Sequence, residues 1–339
     1  MLRVGLVGIG KMGVSHLAIL GAHPQLQIAG ICDSQGYLMS MVRSQTEIET
    51  YKTHEKLLRR ADLDCVVIAT PTAMHVEAAE AAIESGVNVF VEKPLSLGAL
   101  QSMRLSQNAV ARGLANQVGY HNRFIGTFAE VRRLVHAGAI GEVQHVDGKA
   151  FGPVVTKQKT GFTWRSKKSE GGGCLHDYAS HVIDLMNWIA GPPQAVAGAR
   201  LQTIYSENVE DAVYALFTYA NGATGQLEAN WSDESYRKMS TSITVSGSLG
   251  KITADRQQCQ IFLKPKQQFE TYGEGWTIRN ITELQPPVDY YLRGEEYSAQ
   301  IDSFVTASAS HDTNPLNSFA SAYETDRVVE MIINSSEGK

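Results

Sequence analysis

Three residues carry the chemistry this chain is equipped to do: Lys93, Asp177 and His181. Lys93 ends an apolar run, Val87-Asn88-Val89-Phe90-Val91, followed by Glu92, and Pro94 behind it holds it in extended backbone and admits a cis bond. A lone lysine there is otherwise an ordinary strand terminus, but its ammonium can donate to a hydroxyl or carbonyl oxygen and stabilise a developing alkoxide. Asp177 and His181 are four residues apart, hence on one helix face about one turn apart. Alone they would be an ordinary acid and histidine of a helix face. Gly171-Gly172-Gly173 just before them bring backbone close to something, which favours a site. Taking hydride from a carbinol leaves a hydroxyl proton, and imidazole, with a free pKa of about 6.5, takes or returns it near neutrality. His181 is therefore assigned as general acid/base and Asp177 as a substrate-binding carboxylate. His176 points elsewhere on the helix.

A cofactor must accept that hydride, and the N-terminus supplies its signature. Gly8, Gly10 and Gly13 fill a G-x-G-x-x-G pattern between an apolar strand, Val4 to Val7, and a helix, Val14 to Leu20. The first glycine makes the tight turn, the second lets a pyrophosphate approach, and the third lets helix pack on strand. Lys11 and Met12 contribute backbone there. The next strand, Gln27 to Cys32, ends in Asp33, twenty residues after Gly13, where an acid bonds the adenosine ribose 2′-hydroxyl. That carboxylate repels a 2′-phosphate and no arginine follows before Arg43, so NAD is expected, with NADP the alternative. The full cofactor-binding set is Gly8, Gly10, Lys11, Met12, Gly13, Asp33, Thr70, Pro71, His75, Glu92 and Lys93. His75 and Glu77 are read as capping and cofactor-side packing rather than catalysis.

The elements that must position these groups alternate. Helical segments at Leu38 to Gln45 and His54 to Arg60 precede an apolar strand, Cys65 to Thr70. A helix from Ala73 to Ser85, closed by Gly86, leads to the strand before Lys93; Ser96 then caps a helix over Gly98 to Arg112, and a strand follows at Leu114 to Gly119. Repeated β-α units mean a doubly wound parallel sheet, with ligands at the carboxyl ends of its strands, where Gly8, Asp33, Thr70, Pro71, Lys93, Pro94 and Tyr120 all fall. Beyond Tyr120 come a helix, Thr127 to His136, a strand, Gly141 to Phe151, a loop, Gly152 to Gly173, and a helix, Tyr178 to Ile189. Strand candidates follow at 195–203, 212–219, 223–231, 239–246, 251–255 and 260–264, several joined by hairpin turns.

The expected fold is thus an α/β Rossmann domain over 1–120 and an α+β domain over 121–339 with a large open, mostly antiparallel sheet. The last helices, Glu295 to Ser308 and Ser318 to Ile333, close the chain, the final one packing back on the first domain. The open sheet has too few helices to cover both faces, so its outer face is expected to make a homodimer or homotetramer. Within the loop, Trp164 and Arg165 offer an aromatic face and a planar cation suited to a sugar ring or an acidic group on it.

Composition is consistent with this. The 339 residues are 43% apolar with a formal charge of -5, and no basic tail points to nucleic acid. No apolar run reaches the roughly eighteen residues of a membrane span and no secretory signal is evident, so a cytoplasmic protein is expected. Cys32, Cys65, Cys174 and Cys259 are scattered, read as buried thiols, and no structural zinc or other metal is expected.

Taken together and in order, the N-terminal Gly8 to Gly13 turn, Thr70-Pro71 with His75, Glu92-Lys93-Pro94, and Gly171-Gly172-Gly173-x-x-x-Asp177-x-x-x-His181 resemble the glucose-fructose oxidoreductase, inositol dehydrogenase and MocA (Gfo/Idh/MocA) family over nearly the whole chain. The resemblance implies an NAD(P)-dependent oxidoreductase acting on a sugar, inositol or nucleotide sugar, with Lys93, Asp177 and His181 as its active site. It also suggests that some of Tyr120, His121, Asn122 and Arg123 touch nicotinamide or substrate. Two rival readings share the fingerprint: a glycosidase that retains NAD and oxidises transiently, and a non-catalytic dinucleotide-binding regulator. The first belongs to a branch with a different histidine motif, and the second has no use for a proton relay.

Overall fold

The parallel ladder of the N-terminal half is formed by the runs that read as buried strands, in a computed structural model that describes residues 1–59, 62–158, 163–288, 290–292 and 294–338. In order these are β1 (Leu2–Val7), α1 (Lys11–Ala22), β2 (Leu26–Cys32), α2 (Gly36–Gln45), β3 (Thr50–Tyr51), α3 (His54–Leu58), β4 (Cys65–Ile68), α4 (His75–Glu84), β5 (Asn88–Val91), α5 (Ala99–Ala111) and β6 (Asn116–Val118). Six strands pair in the order β3-β2-β1-β4-β5-β6, every pair parallel. The chain reverses direction of winding between β1 and β4, the crevice where such sheets bind ligands. Every residue of β4 and β5 is buried, because helices cover both faces of a parallel sheet. Two details differ from the sequence reading. Strand β3 is only two residues long and leaves no periodic signal. Gly98, not Ser96, is the N-cap of α5; the Ser96 hydroxyl instead accepts the Gly98 N–H at 3.2 Å. Arg60, expected to end α3, lies outside the described residues.

The second half continues with α6 (Gly126–His136), β7 (Val143–Phe151), α7 (Ser180–Ala190), β8 (Ala195–Gln202), β9 (Ala212–Thr218), β10 (Thr224–Asn230), β11 (Ser240–Gly247), β12 (Gly250–Asp255), β13 (Gln258–Leu263), β14 (Gly275–Asn280) and α8 (Ile281–Leu284). These strands form one sheet in the order β14-β13-β12-β11-β7-β10-β9-β8, in which only β7 and β10 run parallel. Strand β14 was not anticipated: it is an edge strand whose two large apolar side chains, Trp276 and Ile278, are exposed rather than buried. Inward residues such as Val146, Leu227, Ile243, Ile252 and Ile261 pack under α6 and α7. The alternate positions, including Asp147, Lys149, Glu228, Thr244 and Thr253, form the other face.

Two last helices, α9 (Glu295–Ser310) and α10 (Phe319–Ser336), complete the chain. It divides into two compact units, Met1–His121 with Pro287–Tyr323, and Asn122–Pro286 with Glu324–Lys339. Ile301, Phe304 and Val305 of α9 share an apolar cluster with Leu6, Ile19 and Phe90 of the first unit, while Val328, Val329 and Ile332 of α10 belong to the core of the second. All four cysteines are buried thiols, and burial pushes Cys32 and Cys65 up to about 12.

Candidate functional site

In the first unit the glycine turn is held by backbone packing. A Cβ on Gly8 would meet Ala69 O at 2.8 Å and one on Gly13 would lie 2.0 Å from Gly8 O, so neither position has room for a side chain. Above Gly10 the space is open, with nothing within 4 Å of a Cβ built there. Helix α1 has no acidic residue in its first turn and no side-chain cap, so its leading N–H groups are presented to an anion. The Asp33 carboxylate accepts the Ile9 N–H on Oδ2 and the Gln35 N–H on Oδ1, both at 2.8 Å, leaving lone pairs on each oxygen for ribose hydroxyls. Thr70 Oγ1, beside Gly8, is buried without a hydrogen-bond partner among the described residues. An open glycine, an uncapped helix start, a terminal acid and an orphaned hydroxyl fit a dinucleotide.

Lys93 follows β5, half-buried, with a cis bond to Pro94. Two residues of the expected cofactor set make internal hydrogen bonds. Glu92 is turned inward: His16 Nε2 lies 2.7 Å from its Oε1, and the Lys93 N–H donates to its Oε2 at 3.2 Å. Burial alone would raise this carboxyl, but the bond from His16 and the charges of His16, Lys93 and His121 outweigh it and hold it below the usual range. His75 is equally internal, its Nδ1 2.8 Å from Pro94 O and its Nε2 2.9 Å from Thr70 O, and burial lowers its pKa despite both contacts. It bridges the Thr70 and Pro94 turns. Tyr120 is in the apolar core of this unit, and His121 stacks on Tyr297 with centroids 4.6 Å apart.

In the second unit the glycine triplet makes close approaches. A Cβ on Gly172 would sit 2.3 Å from Arg165 O, and one on Gly173, whose φ is +107°, would sit 2.2 Å from Glu210 Oε1. The helix then opens as a π turn, Leu175–Ala179, before α7, and such turns concentrate at functional sites. Asp177 lies on that turn and accepts a hydrogen bond from Arg165 Nε at 2.9 Å on Oδ2. The Arg165 guanidinium lies over the Trp164 ring, 4.5 Å from its centroid. His181 follows in the first turn of α7, 5% exposed. Trp164, Arg165 and Asp177, assigned from separate sequence features, are therefore brought together. Glu210 was missed: its Oε1 accepts the Leu175 N–H at 2.9 Å across a separation of 35 residues, and burial raises its pKa.

Arg123, assigned near nicotinamide or substrate, makes an internal ion pair. Its guanidinium is buried in a two-pronged bond to Asp184, Nε to Oδ2 at 2.8 Å and Nη2 to Oδ1 at 2.6 Å, beside Trp188. Burial raises the Asp184 carboxyl against the pull of this cation. Neighbouring Asn122 accepts a long 3.4 Å contact from Arg256, and its Nδ2 is buried without a partner among the described residues. Away from these groups, His54, Glu55 and Glu77 bring potential ligand atoms within 4.8 Å of one another, the two carboxylates being exposed.

A 3-2-1-4-5-6 parallel sheet with this turn defines the class of dinucleotide-binding Rossmann proteins. Comparison with known proteins narrows the class. Residues 2–120 match the oxidoreductase family model described as an NAD-binding Rossmann fold, and residues 128–253 match the GFO/IDH/MocA C-terminal domain. The chain belongs to the Gfo/Idh/MocA family of NAD-binding oxidoreductases. It is 26% identical to a putative UDP-kanosamine synthase oxidoreductase subunit of Amycolatopsis mediterranei (strain S699), over 98% of this chain and 94% of that one. It is 26% identical to the inositol 2-dehydrogenase of Rhizobium meliloti (strain 1021), over 90% and 88%. Among solved structures, GenD2 from gentamicin A biosynthesis, in complex with NAD, superposes with a TM-score of 0.80 at 26% identity, covering 100% of this chain and 95% of that one. No helix among the described residues is long and apolar enough to cross a membrane.

Proposed function

We propose that this protein is an NAD-dependent dehydrogenase that oxidises a carbinol carbon of a carbohydrate, or reduces the corresponding ketone, with a sugar, inositol or nucleotide sugar as substrate. The observation that carries it is Asp177 on the π turn, held by Arg165 of the 164–166 turn, with His181 buried one turn on. NAD, when bound, supplies the hydride acceptor. Gly8, Gly10 and Gly13 with the start of α1 hold its pyrophosphate, Asp33 its adenosine ribose, and Thr70 Oγ1 a further polar group. Lys93 donates to the reacting oxygen and stabilises its negative charge. Asp177, oriented by Arg165, accepts from a substrate hydroxyl. His181 takes the hydroxyl proton in oxidation and returns it in reduction. Polyols and sugars in the names of relatives support the substrate class.

The decisive experiment follows absorbance of reduced nicotinamide across inositols, aldoses, uronic acids, amino sugars and nucleotide sugars, with NAD and NADP in parallel. Turnover of one class with NAD is expected; no response anywhere on the panel would overturn the reading. Catalytic NADH with cleavage of a glycoside and no net redox would instead favour the NAD-retaining glycosidase.

The outer sheet face supports a second, independent proposal, a homodimer or homotetramer contact. Tyr214, Leu216, Trp276 and Ile278 are exposed there or at its edges around the Lys149, Asp147 and Glu228 ion pairs. Sedimentation of wild-type protein beside Leu216→Lys and Ile278→Lys is expected to show loss of the oligomer in the variants, and a wild-type monomer would refute it. Buried thiols suit a cytoplasmic location, which fractionation of the producing cells would check.

A further inference from the structure

Behind Lys93 lies a buried polar pair with no part in the scheme above. His16, on the second turn of α1, is fully buried, its ring edge-on to Phe90 with centroids 5.3 Å apart. Its Nδ1 is buried without a partner among the described residues, so Nε2 is the nitrogen whose hydrogen faces Glu92 Oε1 at 2.7 Å. Glu92 Oε2 accepts the backbone N–H of Lys93. Two donors thus converge on one side chain, and only a carboxylate offers an acceptor to each; an amide would turn its own NH2 on one of them. The carboxyl group is packed in place as well, since a Cβ on Gly119 would come within 2.9 to 3.1 Å of its atoms.

We propose that His16 and Glu92 are positioning residues for Lys93: they brace the turn that carries the reactive amine against the helix whose N-terminus receives the dinucleotide. The proposal rests on the reading of Lys93 as the group that acts on the substrate oxygen. At 1.5 Å per residue, His16 lies about 8 Å along α1 from Lys11, so the brace is more than one helical turn from the start of the helix. Losing it displaces the amine while leaving the glycine turn intact. Its signature is therefore a fall in kcat with cofactor affinity preserved.

The test compares wild type with Glu92→Gln, His16→Leu and His16→Gln in the full-length protein. NADH affinity is read by fluorescence, kcat and KM with the responsive carbohydrate, and acylation of Lys93 by an amine-directed ester at one fixed pH, by mass spectrometry of its peptide. Glu92→Gln and His16→Leu are expected to lower kcat by about 10- to 100-fold, the scale of a misplaced reacting group, with KM and NADH affinity within about threefold. His16→Gln keeps a donor toward Glu92 and is expected to recover most of the loss. Lys93 acylation is expected to rise about fivefold or more in Glu92→Gln, because the carboxylate that holds the Lys93 backbone N–H is gone. Wild-type acylation in Glu92→Gln would overturn the brace, as would wild-type kcat in that variant or a His16→Gln variant no better than His16→Leu. The acylation rate needs no substrate, so it decides the brace even if the carbohydrate panel fails.

Discussion

Arg165 Nε donates to Asp177 Oδ2 at 2.9 Å, and the two residues belong to features that sequence spacing treats separately, a loop and a helix start twelve positions on. The arginine is 41% exposed and the aspartate 10%, so the cation works from the solvent side while the acid is largely enclosed. Such a pair adds little to stability but fixes where the acid points. Arg165→Ala is expected to lower kcat/KM by about tenfold and Asp177→Asn by about 100-fold or more, with melting temperatures close to wild type. Steady-state kinetics and calorimetry check both, and an unaffected Arg165→Ala enzyme would remove the arginine from the site.

Lys93→Ala tests the amine directly. Loss of one donor to a developing oxyanion costs about 100- to 1,000-fold in kcat, and that loss is expected with NADH affinity kept within about threefold. Wild-type-like turnover would take Lys93 out of the chemistry.

The Arg123–Asp184 pair concerns folding instead. Removing the cation leaves Asp184, buried with Thr325 Oγ1 3.4 Å away, without its counter-charge. Arg123→Met is expected to cost about 3 to 5 kcal/mol in urea unfolding, while Arg123→Met with Asp184→Leu regains much of it because both buried charges are gone. A single variant as stable as wild type would contradict the assignment.

Glu92 and Glu210 are expected to respond to pH with opposite sign. The Glu92 carboxyl is lowered in the folded protein, so its contribution is present above the ordinary value of 4.5 and disappears as pH falls through the lowered one. Glu210 is raised, so its folded form is favoured below 4.5 and that advantage is lost as pH rises through the raised value. Urea midpoints from pH 3 to 7 should show Glu92→Gln closing on wild type toward the acid end. Glu210→Gln should compare best with wild type at neutral pH. Parallel curves would contradict both directions.

His181→Ala is expected to lower the rate and to remove an ionisation near neutrality from the pH profile of kcat/KM. An unchanged profile would assign the proton transfer elsewhere.

Much of the dinucleotide half was legible because its signals are local. Gly8, Gly13 and Asp33 lie within a single β-α-β unit, and the spacing that marks them is the spacing that folds it. The same holds for the triple glycine ahead of Asp177 and for the alternation that identified most of the second sheet. What stayed hidden was the partner of residues whose identity and position were known. The sequence did not show that His16, 76 positions away, lies against Glu92, or that Asp184, 61 positions on, holds Arg123. Strand β14 was missed because an edge strand with exposed Trp276 and Ile278 lacks an inward apolar row.

From the chain of residues alone came the two-part architecture, the glycine turn with its acid, and the identities of the lysine, aspartate and imidazole, because periodicity and short spacings act over a few turns of chain. Which buried polar groups satisfy one another was decided only in three dimensions. Tertiary packing brings α1 against the end of β5 and the 164–166 turn against the π turn, and nothing in local sequence encodes which distant donor will reach a given carboxylate.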